Sequence, residues 1–128
     1  MIVLDASAAI EVLIGEPNET LAARLARAAV LHAPHLLDTE VLHVLRRLEQ
    51  QGRLTGDEVG AARQLFGLLE IDRYPHIPLS PRVWELRPVL SAYDATYVAL
   101  AEALEATLVT TDHRIAGASG LHAQVEVH

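Results

Sequence analysis

Residues 93–112, YDATYVALAEALEATLVTTD, read as an acid-started apolar helix running straight into a short β-type segment that ends on a second acid. A right-handed crossover carries a chain along a strand, back along a helix and forward again, so helix starts and strand ends share one edge of a parallel sheet. Asp94 and Asp112 are therefore expected to be neighbours. That edge is where open α/β sheets bind ligands.

Working outward, other segments send acids to the same edge. Ile2-Val3-Leu4 reads as a buried strand stopping at Asp5, and ASAAIEVLIG after it as a helix ending at Gly15 with Pro17 blocking continuation. Asp5 suits a helix N-cap or first-turn acid as well as a functional group. Ser7 suits the same cap or a hold on a metal-bound water. Asn18 or Thr20 can start a helix through Ala29, followed by a strand over Val30 to Ala33 that Pro34 ends.

From Leu36 to Gln51, the apolar positions Leu37, Val41, Val44, Leu45 and Leu48 mark a helix laid on a core. Glu40 falls roughly 80° from the centre of that stripe, either as a boundary glutamate reaching solvent or as a fourth acid on the ligand edge. Thr55 to Asp57 caps a second helix over 55–69. A strand over Ile71 to Ile77, interrupted by Pro75, suits a sheet edge. A short helix spans about Pro81 to Leu90, then Ser91 caps the long apolar helix with Asp94 reaching back. After the strand Thr107 to Thr110, residues 113–116 make a helical turn stopped by Gly117 and Gly120, and Val125 to Val127 is the last strand.

Composition narrows the chemistry. A chain of 128 residues is one domain, 1–128, and with 51% hydrophobic but only 4% aromatic residues its core must be aliphatic. No cysteine is present, which removes disulfides and thiolate metal sites and fits a reducing cytoplasm. No apolar run approaches the ~20 residues of a membrane span, and no basic region precedes the first apolar residues, so neither span nor signal peptide is expected. The formal net charge of −7 gives no global attraction for nucleic acid; any nucleic-acid work must rely on local arginines and bound metal. All ten basic residues are Arg. The missing lysine excludes a P-loop and counts against receiver domains and haloacid-dehalogenase-type phosphatases.

Asp5, Glu40, Asp94 and Asp112 are thus four acids sent to one sheet edge by separate local arguments. Crowded carboxylates raise one another's pKa unless a cation is present. Mg²⁺ or Mn²⁺ suits all-oxygen donors, and the site suits phosphodiester hydrolysis. The seven histidines show no paired helical spacing, which argues against zinc. Arg114 is read as a surface arginine, with contact to a phosphate as the alternative.

The segments IVLDASAAIEVL (2–13), APHLLDTEVLHVLRRL (33–48) and YDATYVALAEALEATLVTTDHRIA (93–116) resemble the PIN-domain ribonucleases, specifically the toxins of VapBC toxin–antitoxin systems. The resemblance implies an α/β three-layer sandwich with a central, mainly parallel five-stranded sheet. It implies that Asp5, Glu40, Asp94 and Asp112 are the metal-site acids, with Ser7 and Thr110 as accompanying hydroxyls. It further implies a homodimer, a Mg²⁺ or Mn²⁺ cofactor, RNA cleavage that inhibits growth, and restraint by a small antitoxin protein. A phosphoryl-transfer or phosphatase domain and a non-catalytic module whose acidic pocket receives a partner's arginine are the competing readings.

Overall fold

The computed structural model describes residues 1–16 and 18–128, so the stop assigned to Pro17 lies outside the described residues. Five strands, β1 (Ile2–Leu4), β2 (Leu31–Pro34), β3 (Ile71–Tyr74), β4 (Thr107–Thr110) and β5 (Gln124–Val127), form one sheet in the order β3-β2-β1-β4-β5. Every pairing is parallel. The helices are α1 (Ala6–Ile14), α2 (Glu19–Ala26), α3 (Leu36–Gln50), α4 (Gly56–Leu68), α5 (Ser80–Glu85), α6 (Ala92–Leu104) and α7 (His113–Ala116).

The strand order explains the layers. The chain steps from β1 to β2 to β3 in one direction and returns past β1 to β4 and β5 in the other. With right-handed crossovers the helices of the two runs must cover opposite faces. Accordingly α1 packs on α3, α4 and β4, while α6 lies across β1, β2 and β4 with α5 against it. This is the expected three-layer α/β sandwich, and its sheet is wholly parallel. The reversal between β1 and β4 opens a crevice outside their carboxyl ends, the place where such sheets bind ligands.

Local sequence sets most boundaries. Helix α1 ends at Gly15, where a Cβ would lie 2.6 Å from the Glu11 carbonyl oxygen and only glycine fits. Thr55 and Glu58 form a reciprocal capping box at α4. At α6 only half of that motif forms: the Ser91 hydroxyl accepts from the Asp94 N–H at 3.1 Å. The run Ala95 to Ala101 is buried on every side of the helix, as a helix between a sheet and a further helix must be.

Several boundaries differ from expectation. Helix α2 stops at Ala26 rather than Ala29, and α5 at Glu85, leaving turns before Ser91. Strand β3 ends before Pro75, but it is the edge strand the proline implied. Pro34 does not end β2 from outside; it is the last strand residue, in register with Tyr74. The N–H groups of Leu31 and His35 bond to Glu70 and Tyr74 on the β3 side, so the backbone at 32 and 34 faces β1. Pro34 offers no donor there, and the β1–β2 pairing runs only to Val3 and His32.

Candidate active site at the carboxyl edge of the sheet

Asp5 follows β1 directly, and its N–H continues the ladder to the Val109 carbonyl at 3.1 Å. It stands at the N-cap position of α1, yet its side chain makes no capping bond. Instead Oδ2 accepts from the Ser7 hydroxyl at 2.9 Å and from the Thr110 hydroxyl at 2.5 Å. Ser7 Oγ in turn accepts from the Thr111 N–H at 3.1 Å, and Thr110 Oγ1 from the Asp112 N–H at 2.9 Å. Two hydroxyls thus fasten the turn after β4 to the acid after β1. Asp5 is 4% exposed and Thr110 fully buried, a setting where such bonds exclude other orientations.

Asp94 sits in the first turn of α6, beneath the same edge. Burial raises its pKa above the ordinary 3.8, and the charges of Asp5 and Asp112 raise it further. Glu40, in the second turn of α3, behaves alike. Burial pushes its pKa up most; the Tyr97 hydroxyl opposes this, and Asp5 and Asp94 add to the rise. The chain therefore brings Asp5, Glu40 and Asp94 within electrostatic reach of one another. An acid in this position holds its proton more tightly than it would in water.

Asp112 joins the group on different terms. It caps α7 by accepting from the Arg114 N–H at 2.9 Å, and the Arg114 guanidinium grips both carboxylate oxygens at 3.1 and 2.7 Å. That pairing holds the Asp112 pKa below 3.8 against the opposing effect of burial. Arg114 is the surface arginine expected, with its side chain 85% exposed.

Tyr97 was not singled out by sequence reasoning. It is fully buried, one turn after Asp94, and its hydroxyl faces Glu40. The Tyr97 hydroxyl and Glu40 Oε1 are both buried, and neither has a partner with hydrogen-bond geometry. A signal existed: a tyrosine in the middle of the apolar stretch of the helix carries a hydroxyl that must find a polar partner.

The donor set fits a hard cation. Glu40 and Asp94 each have their pKa raised by neighbouring carboxylate charge; a cation between Glu40, Asp5 and Asp94 would offset that like-charge repulsion. Among the described residues, no three or more His, Cys, Asp or Glu side chains stand close enough together to hold a metal ion as they are placed. Asp112 is engaged by Arg114, and one oxygen of Asp5 by the two hydroxyls.

Comparison with known proteins agrees with this fold. A family profile described as PIN domain matches residues 2–121. Ribonuclease VapC9 of Mycobacterium tuberculosis is 50% identical over 115 residues, covering 90% of this chain and 88% of that protein. Ribonuclease VapC1 of the same organism is 39% identical over 127 residues, covering 98% and 96%. Among solved structures, VapBC2 from Rickettsia felis bound to a DNA fragment from its promoter superposes with a TM-score of 0.74 at 15% identity, over 99% of this chain and 98% of that one. With a doubly wound sheet, acids at its switch point and relatives of this identity over nearly its whole length, the chain belongs to the PIN-domain family, among the VapC ribonucleases.

Proposed function

We propose that this chain is a metal-dependent endoribonuclease, the toxin of a type II toxin–antitoxin pair, and that Asp5, Glu40, Asp94 and Asp112 form its active centre. The observation carrying this reading is the convergence of three buried or half-buried acids, two with raised pKa values, at the β1/β4 switch point. The ribonuclease names of relatives up to 50% identical supply the substrate class.

Asp5, Glu40 and Asp94 would hold Mg²⁺ or Mn²⁺, with Asp112 completing the set or orienting it. When bound, the ion supplies positive charge against the scissile phosphate and makes an attacking water more acidic. The chain's own part is positional. Ser7 and Thr110 hold one oxygen of Asp5 and leave Oδ1 free of those bonds. The Ser91 cap fixes the turn carrying Asp94. Arg114, exposed at the rim, keeps Asp112 charged and offers a cation to the RNA backbone. With a net charge of −7, the protein must approach RNA through this local site rather than through its overall field.

The same reading assigns a small antitoxin protein as partner, a second copy of the chain as the other half of a dimer, and the cytoplasm as the place of action. No helix is long and apolar enough to cross a membrane among the described residues.

The test is a gel assay of the purified protein on structured RNAs with Mg²⁺ or Mn²⁺, with and without chelator, beside Asp94→Asn. Discrete fragments that need both metal and Asp94 are the expected result. Unchanged cleavage by Asp94→Asn would remove that residue from the mechanism. Absence of both cleavage and metal binding would leave the acidic pocket as a receptor for a partner's arginine.

A further inference from the structure

Tyr97 has an unexplained hydroxyl. It lies fully buried in α6, among alanines, valines and leucines, where phenylalanine would fill the same space without stranding a polar atom. Only two buried side-chain atoms lack a hydrogen-bond partner among the described residues: the Tyr97 hydroxyl and Glu40 Oε1. They come from different helices, α6 and α3, and they face each other at the floor of the acidic site.

We infer that Tyr97 is a positioning residue for Glu40: its O–H turns onto one carboxylate oxygen and so aims the other toward the space between Asp5 and Asp94. This rests on the metal-binding reading given above. Carboxylates that ligate metals are commonly themselves held by an outer hydrogen-bond donor, and losing such a donor weakens metal binding. Ser7 and Thr110 already serve Asp5 in that way, and Ser91 fixes the turn of Asp94. Glu40 has no donor assigned to it, and Tyr97 is the hydroxyl within reach. A phenol hydroxyl can donate one hydrogen bond to a carboxylate oxygen. An O–H bond to a carboxylate is charge-assisted and selects one rotamer of a flexible glutamate.

The experiment compares Mn²⁺ affinity, by electron paramagnetic resonance of free Mn²⁺ without RNA, for wild type, Tyr97→Phe, Glu40→Gln and the double variant. The metal-free melting temperature of each is measured alongside. Tyr97→Phe should bind Mn²⁺ roughly tenfold more weakly while its metal-free melting temperature does not fall. The double variant should bind no more weakly than Glu40→Gln alone, since the phenol acts through the carboxylate. Wild-type affinity in Tyr97→Phe, with Glu40→Gln weakened, would make Tyr97 a core residue and nothing more. Additive losses would overturn action through Glu40. Wild-type affinity in Glu40→Gln would overturn the inference while leaving the nuclease to the other acids; no Mn²⁺ binding by wild type would overturn both.

Discussion

Acids at the carboxyl edge of the sheet and acids elsewhere in this molecule live under opposite conditions. Away from the site, Asp38 is gripped at both oxygens by Arg73, Glu126 by Arg24 and His128, and Glu102 by Arg82 at 2.6 and 3.0 Å. Burial pulls the pKa of Glu102 up, but Arg82 and the His122 N–H outweigh it and the net value falls below 4.5. Arg82 also donates to the Gly120 carbonyl at 2.7 Å, so the pair ties α5, α6 and the loop before β5 together. At the edge, burial and neighbouring acids outweigh the hydroxyls beside Glu40 and Asp94 and the Arg114 charge that acts on Asp94, and both pKa values rise. The difference separates carboxylates tied by arginines into the fold from carboxylates whose neighbours make them harder to ionise. Asp112 stands between the groups, at the same edge yet held by its own arginine.

The comparison breaks most visibly at Asp5. Asp5→Asn should lower RNA cleavage by more than ~100-fold, the loss that outer-shell partners alone can cause. Its melting temperature without metal should stay close to wild type, because the amide oxygen can still accept from Ser7 and Thr110. A large stability loss without a loss of activity would move Asp5 to the structural group.

Arg82→Ala should do the reverse. It strands Glu102, whose side chain is 11% exposed, and should cost about 2 kcal/mol in urea unfolding, with cleavage per folded molecule unchanged. The pH dependence has a definite sign. Glu102 is depressed in the folded protein, so its contribution is complete above the ordinary value of 4.5 and is lost as pH falls through the lower folded value. The gap between wild type and Arg82→Ala should therefore close in acid; a gap that widened below pH 4.5 would contradict the pairing.

The smallest effect belongs to Arg114→Ala. A fully exposed arginine contributes little to stability, so thermal unfolding should shift by less than ~2 °C, whereas the titration of Asp112 followed by NMR should move upward. A Tm fall as large as that of Arg82→Ala would place the Arg114 pair among the structural ones.

Much of this was readable along the chain. Strand β4 and helix α7 occupy the residues assigned to them, because a β-branched run and a following pair of glycines are local signals. The same holds for the Thr55 cap and the Ser91 hydroxyl. The four acids could be sent to one edge by alternation of strands and helices alone. The rest was not local. Asp5 reads as an N-cap, but Thr110, 105 positions away, takes its oxygen. Pro34 reads as a strand terminator, but its ring is accommodated where the β1 ladder has already ended.

By itself the sequence determined the kind and approximate extent of each element, the aliphatic core and the edge to which the acids go, since periodicity, capping and proline or glycine punctuation act over a few residues. Tertiary structure decided the order β3-β2-β1-β4-β5, the use of Asp5's oxygen, the engagement of Asp112 by Arg114 and the meeting of Tyr97 with Glu40. Those depend on which strands lie side by side and which way buried side chains are forced to turn, and close packing against distant parts of the chain sets both.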